Sequence, residues 1–73
     1  MAIDHLVNEL KQMYFGATDG EKVVSIHLFG IKFAEQLSGA SLKEIAVRAG
    51  VDESYATEIR KGMNLAKYVS VKQ

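Results

Sequence analysis

One glycine, Gly50, stands between two stretches with helical patterning, LKEIAVRA at residues 42–49 and DESYATEIRK at residues 52–61, and it constrains this chain more than any other residue. An interior glycine costs an α-helix about 1 kcal/mol relative to alanine. At a helix end, by contrast, it enters the left-handed region with no side chain to strain. Asp52, two residues later, can accept the free N–H groups that open a new helix. The spacing therefore predicts two helices meeting at a sharp corner, and helices joined by three or four residues cross at roughly 90 to 120°. Such a crossing needs a small residue at the contact, where Ala46 stands, and apolar residues to fill the angle, here Ile45, Ala49, Val51, Ala56 and Ile59. Gly62, after Arg60 and Lys61, is expected to stop the second helix.

The rest of the chain is also patterned as helix. Ile3, Leu6, Val7, Leu10, Met13 and Tyr14 recur at spacings of three and four, which predicts an amphipathic helix over 3–15 stopped by Gly16. GATDG is a turn in which Thr18 with Glu21, or Asp19 alone, can cap the next helix. Over residues 21–38 the apolar positions Val23, Val24, Ile26, Leu28, Phe29, Ile31, Phe33, Ala34 and Leu37 cover most of the circumference, leaving Ser25, Lys32 and Gln36 as a solvated strip. That width predicts a central helix buried against several neighbours. Gly30, inside its buried face, marks a close crossing by another helix. Ser38 and Gly39 end this helix, and Ser41 with Glu44 has capping-box spacing for the helix over 42–49, worth about 1 kcal/mol.

The expected fold class is all-α, a small four- to five-helix bundle containing a helix-turn-helix. The single expected domain, 1–73, has an N-terminal helical pair at 1–38, the helix-turn-helix at 41–62, and a short terminal helix or tail at 63–73. MNLAKYV would form a turn or two there, with SVKQ frayed or extended. A core of this size supplies only about 3 to 5 kcal/mol of net stability, so well-capped elements are needed. The chain is 48% hydrophobic and 25% charged with no proline, which argues against a linker or disordered tail. It has no cysteine, which removes disulfides and thiolate metal sites from consideration. Asp4, His5 and Glu9 interrupt the first ten residues, and no apolar run reaches about 18, so a cytoplasmic protein with no membrane segment is expected.

The zero net charge conceals an asymmetry. Residues 1–40 hold three lysines (Lys11, Lys22, Lys32) against five acids (Asp4, Glu9, Asp19, Glu21, Glu35), a balance of −2. Residues 41–73 hold six bases against four acids, a balance of +2, and from Arg60 onward Arg60, Lys61, Lys67 and Lys72 meet no acid. That tail is a modest basic patch able to touch phosphates.

The pattern over residues 42–62 resembles the helix-turn-helix of the phage-repressor-like family, the lambda repressor or Cro (XRE-like) type. The resemblance rests on Ala46, Gly50, Val51, the pair Ala56 and Ile59, and the closing Arg60-Lys61-Gly62. It does not extend to residues 1–40, and residues 63–73 are shorter than that family's trailing helices. In the family the second helix lies in the DNA major groove with its N-terminal residues at base edges. The resemblance implies a base-facing set of Glu53, Ser54, Thr57, Glu58 and Lys61, with Tyr55 at its edge, and phosphate contacts from Lys43, Arg48, Arg60 and Lys67. Asp52, Glu53 and Glu58 are three acids on an element meant to approach a polyanion. Asp52 serves as a cap and Glu53 favours the positive end of the helix dipole, but Glu58 has no such role. No arginine or glutamine stands at the front of the helix for the commoner guanine or adenine contacts.

The remaining residues favour plainer roles. His27 projects into the apolar face beside Val23 and Ile31, as a core histidine with its ring N–H satisfied, and His5 reads as a surface residue. Two histidines without matched spacing do not form a metal site, and no cofactor is expected. GATDGEK lacks one residue of a phosphate loop and has Val23 where Ser or Thr is needed. Tyr14, Phe15, Phe29, Phe33, Tyr55 and Tyr68 read as core or edge packing, and Arg60-Lys61 is equally compatible with a solvated last turn. No catalytic arrangement of side chains or room for a small-molecule substrate is evident, so the chain is not expected to be an enzyme. The leading expectation is a bacterial or phage-type DNA-binding transcriptional regulator or accessory protein, partnered by double-stranded DNA and, in addition, by a second copy as a homodimer or by a protein partner. The alternative is a protein-protein interaction module, adaptor or antitoxin-like, on the same scaffold with weak DNA binding.

Overall fold

The computed structural model describes residues 2–69, which form five α-helices and no strand. Helix α1 spans Ala2–Phe15, α2 Lys22–Lys32, α3 Ala34–Leu37, α4 Leu42–Ala49 and α5 Tyr55–Leu65, with a 3-10 turn at Asp19–Glu21 leading into α2. The expected conformation of SVKQ falls on residues 70–73, outside the described residues. No separate terminal helix is present among the described residues beyond α5. Instead α5 runs through Gly62 to Leu65 and unwinds in a turn over 66–68.

The apolar spacing of α1 is realised as the core. Leu6, Val7 and Leu10 are buried, and Ile3, Met13 and Tyr14 pack against them. From the other helices come Ile26, Phe29, Phe33, Leu37, Leu42, Ile45, Ala46, Ala49, Val51 and Ile59, making one continuous cluster. The expected caps between α1 and α2 do not form, since neither Thr18 nor Glu21 makes a side-chain cap bond. Lys22 joins the two helices instead. Its Nζ donates to the carbonyls of Tyr14 (3.2 Å) and Ala17 (3.3 Å), near the negative end of the α1 dipole, and lies 4.9 Å above the Tyr14 ring.

The central helix differs from its sequence reading in two ways. It breaks at Phe33 (φ −111°, ψ 22°), which divides the expected 21–38 helix into α2 and α3 and still keeps the Phe33 N–H bonded to the Phe29 carbonyl at 3.1 Å. The break lets both Phe33 and Leu37 join the core, and no proline or glycine announces it. Its solvated strip also differs in part, with Lys32 and Gln36 exposed as expected. Ser25 is buried, with its hydroxyl donating to the Lys22 carbonyl at 2.6 Å, while Val23, Val24 and Leu28 are exposed.

Gly30 is where α5 crosses α2. A methyl group at Gly30 would collide with the Ile59 carbonyl oxygen and lie 3.0 Å from both the Gly62 Cα and the Met63 N. One at Gly62 would meet the His27 carbonyl and the Gly30 Cα. Gly62 is therefore the partner of Gly30 in a backbone-to-backbone crossing, and not the helix stop expected from its position after Arg60-Lys61.

The corner at Gly50 is present. Gly50 adopts φ 84°, ψ 17°, and the Val51 and Gly50 N–H groups return to the carbonyls of Ala46 and Val47, both at 3.1 Å. These are the two bonds of a Schellman closure. Ser41 caps the other end of α4 by accepting the Glu44 N–H at 3.2 Å. Only the Phe15 ring edge, 3.9 Å away, stands near a methyl at position 50, so Gly50→Ala meets no steric obstacle and suffers only the left-handed backbone penalty. It is expected to lower stability by about 1 to 2 kcal/mol. Gly20→Ala, at a site with open space and no left-handed φ, is the control expected to show no such loss on urea titration.

Candidate nucleic-acid interface

Helix α5 follows the corner, and Asp52 prepares its start. The Asp52 carboxylate accepts the Ser54 N–H at 2.8 Å and its carbonyl accepts the Tyr55 N–H at 3.0 Å. The Ser54 N–H holds the Asp52 carboxyl below its ordinary pKa, since hydrogen bonding favours the charged form. Ile59 and Gly62 fasten the inner side of α5 to α2, while Tyr55 meets the Tyr14 ring at 5.7 Å between centroids. This anchoring leaves Ser54, Thr57, Lys61 and Asn64 along an exposed strip at spacings of three and four, flanked by Glu53 and Arg60. Asn64 was missed in the sequence reading, although it lies seven residues after Thr57 and its amide suits adenine.

A shallow groove of about 370 Å³ separates this strip from the start of α4. Ala40, Ser41, Leu42 and Lys43 line one side, and Ala56, Thr57 and Arg60 the other. Lys43 and Arg60, two of the expected phosphate contacts, are therefore neighbours across it. Lys43 Nζ lies 3.6 Å from Glu53, but both side chains are well exposed, and such pairs contribute little and exchange readily for another anion. Lys67 is exposed in the turn after α5.

Two residues of the expected site are turned elsewhere. Arg48 donates to Asp4 on α1 at 2.6 Å and lies 3.8 Å from Glu44, so it faces the N-terminal helix and not the groove. Glu58, expected among the base-facing residues, is half-buried against α2. His27 Nε2 donates to its Oε1 at 2.7 Å, and Lys61 Nζ donates to Oε2 at 3.3 Å. This supplies both the role that Glu58 lacked in sequence and the partner of His27. The bond from His27 and, less strongly, the one from Lys61 keep the Glu58 carboxyl below its usual range.

Asp52 and Glu58 thus carry depressed folded-state pKa values, and the sign of their pH effect follows. Their contribution is present above the unfolded carboxylate pKa, about 4, and is lost as pH falls below it through the depressed values. Stability is expected to decline on that acid limb, and Glu58→Gln and Asp52→Asn are each expected to flatten it. Urea midpoints from pH 7 down to about pH 3 measure this. Equal acid limbs in the wild type and both variants would refute the assignment.

No group of three His, Cys, Asp or Glu side chains converges among the described residues, and no helix among them is long and apolar enough to cross a membrane.

A left-handed corner, a braced first helix and a second helix with one open side define a helix-turn-helix protein. The chain belongs to the family described as the HTH-like domain, whose model matches residues 2–72. The match spans both the helical pair and the corner, and it supports a helix-turn-helix family at large without singling out the phage-repressor type. No curated protein and no solved structure gives a significant match.

Proposed function

We propose that the protein binds double-stranded DNA through α5, in the manner of a small repressor-type regulator or DNA-associated accessory protein, and that it is not an enzyme. The observation that carries this reading is the withdrawal of Glu58 by His27. It removes the one acid with no local excuse from the open side of α5 and leaves Ser54, Thr57, Lys61 and Asn64 to meet base edges. Lys43, Arg60 and Lys67 border the same side and would hold phosphates and set the register. Arg48 has no part in the interface proposed here.

A second reading, a protein-protein interaction module, is favoured by Asp52 and Glu53, which remain exposed at the front of α5. Retardation of a random-sequence duplex separates the two. At about 50 mM salt, micromolar protein is expected to bind, with affinity falling steeply as salt rises, because nonspecific phosphate contact alone produces that behaviour. Absence of binding under those conditions would overturn the DNA reading and leave the interaction module.

A further inference from the structure

Two features that have no partner among the described residues complement each other. The first is a groove of about 340 Å³ between the end of α1 and the first half of α2, lined by Gln12, Met13, Gly16, Ala17, Glu21, Val24, Ser25 and Leu28. Its apolar surface is Met13, Ala17, Val24 and Leu28, with Val24 49% exposed. Its border is acidic. Glu21 lines it, Asp19 lies in the adjoining 3-10 turn, and Glu9 stands one turn before Met13 on the same face of α1. Among the described residues no cation lines the groove. Lys22 is engaged with the Tyr14 and Ala17 carbonyls, and Lys32, one turn beyond Leu28, holds its ammonium over the Phe33 ring at 5.4 Å.

The second feature is the end of α5. Leu65, Tyr68 and Val69 fall at i, i+3 and i+4 across the turn that closes α5, where the Val69 N–H bonds to the Leu65 carbonyl at 3.1 Å. All three are exposed, Tyr68 to 82%, against its expected place in core or edge packing. Lys61 and Lys67 accompany them with no acid after Glu58. An apolar triplet at this spacing on a basic turn presents its side chains to one side, as the anchors of groove recognition do. Its own groove lies at the wrong end for it. Helix α5 runs beside α2 in the same direction, with Glu58 at His27 and Gly62 at Gly30, so Leu65–Val69 leaves at the end of α2 opposite to Glu21–Leu28.

We infer that the protein self-associates as a reciprocal dimer, in which Leu65, Tyr68 and Val69 of each copy occupy the Met13–Ala17–Val24–Leu28 groove of the other. Lys61 and Lys67 then face Glu21, Asp19 and Glu9, so the sign of charge agrees with the apolar fit. Exchange in both directions closes the pair and leaves neither groove open. Self-association of this kind is measured on DNA-free protein and so is tested apart from the nucleic-acid reading, although Lys61 and Lys67 serve both and a duplex would compete with the second copy for them.

Sedimentation equilibrium of the full chain is expected to show a monomer–dimer equilibrium at or below about 100 μM, in the range of small transient interfaces, and a weaker one at high salt. Val24→Lys in the groove and Tyr68→Glu in the tail alter exposed residues and are expected to leave the helical circular dichroism intact. Each is expected to weaken dimerisation by about tenfold or more, as removal of a buried apolar side chain does. The two variants mixed are expected to associate with each other more tightly than either does with itself, because the mixture restores one intact groove to one intact tail. A wild type that stays monomeric at about 100 μM, the upper limit expected here, would overturn the inference. So would a dimer indifferent to Tyr68→Glu or to Val24→Lys, or a mixture that fails to associate.

Discussion

Gly30→Ala is expected to remove most of this domain's stability. In an open helix the same change would be favourable by about 1 kcal/mol. Here the added methyl points at backbone, at the Ile59 carbonyl and the Gly62 Cα, which cannot rotate aside as a side chain would. Relief requires α2 and α5 to separate, which would loosen Phe29 and Ile59, both fully buried. Overpacking of a core costs about 1 to 3 kcal/mol and more where nothing can yield, against a total of about 3 to 5 for a domain of this size. The melting temperature should fall by about 12 °C or more, at about 4 to 8 °C per kcal/mol. Gly62→Ala should do nearly the same, and the double variant should be destabilised by less than the sum, because one separation relieves both clashes. An unchanged or raised midpoint for Gly30→Ala would show that the helices do not meet there.

For duplex DNA, the pair Arg60→Ala and Lys67→Ala is expected to weaken binding about 100-fold at about 50 mM salt, since each phosphate contact contributes close to tenfold there through counterion release. The salt dependence should become shallower by about one ion for each phosphate no longer neutralised. Arg48→Ala is the informative control. A phosphate role for Arg48, implied by the resemblance, would make its removal equally harmful, whereas its bond to Asp4 leaves the salt slope unchanged and affects only stability. Arg60 and Lys67 variants that bind with the wild-type slope would exclude this side of α5 from the interface. A shallower slope for Arg48→Ala would mean that α4 approaches the phosphates by the side now covered by α1.

What could be read from the residues alone was what neighbours in sequence decide. A left-handed residue is needed where a helix turns back within two residues, so Gly50 marked the corner. A hydroxyl three residues before a free N–H caps it, so Ser41 marked the start of α4, and apolar spacing along α1 marked the side that became core. Gly30 was legible as a close crossing because only another backbone warrants a missing side chain in a buried helix face.

Distance along the chain hid the rest. His27 and Glu58 are 31 residues apart and Asp4 and Arg48 are 44, so no local pattern could reveal that these pairs draw one acid and one base away from the expected interface. Gly62 looked like a terminator because the residues around it permit one, yet its role follows from lying opposite Gly30. The break at Phe33 and the exposure of Val23, Val24 and Leu28 also arise when five helices share one small core. Local preference selects the conformation of a segment, whereas packing selects which of its faces finds a partner. In this protein the conformation of the corner was set by the chain's own neighbours, and the composition of the open side of α5 was set by the crossing of α2.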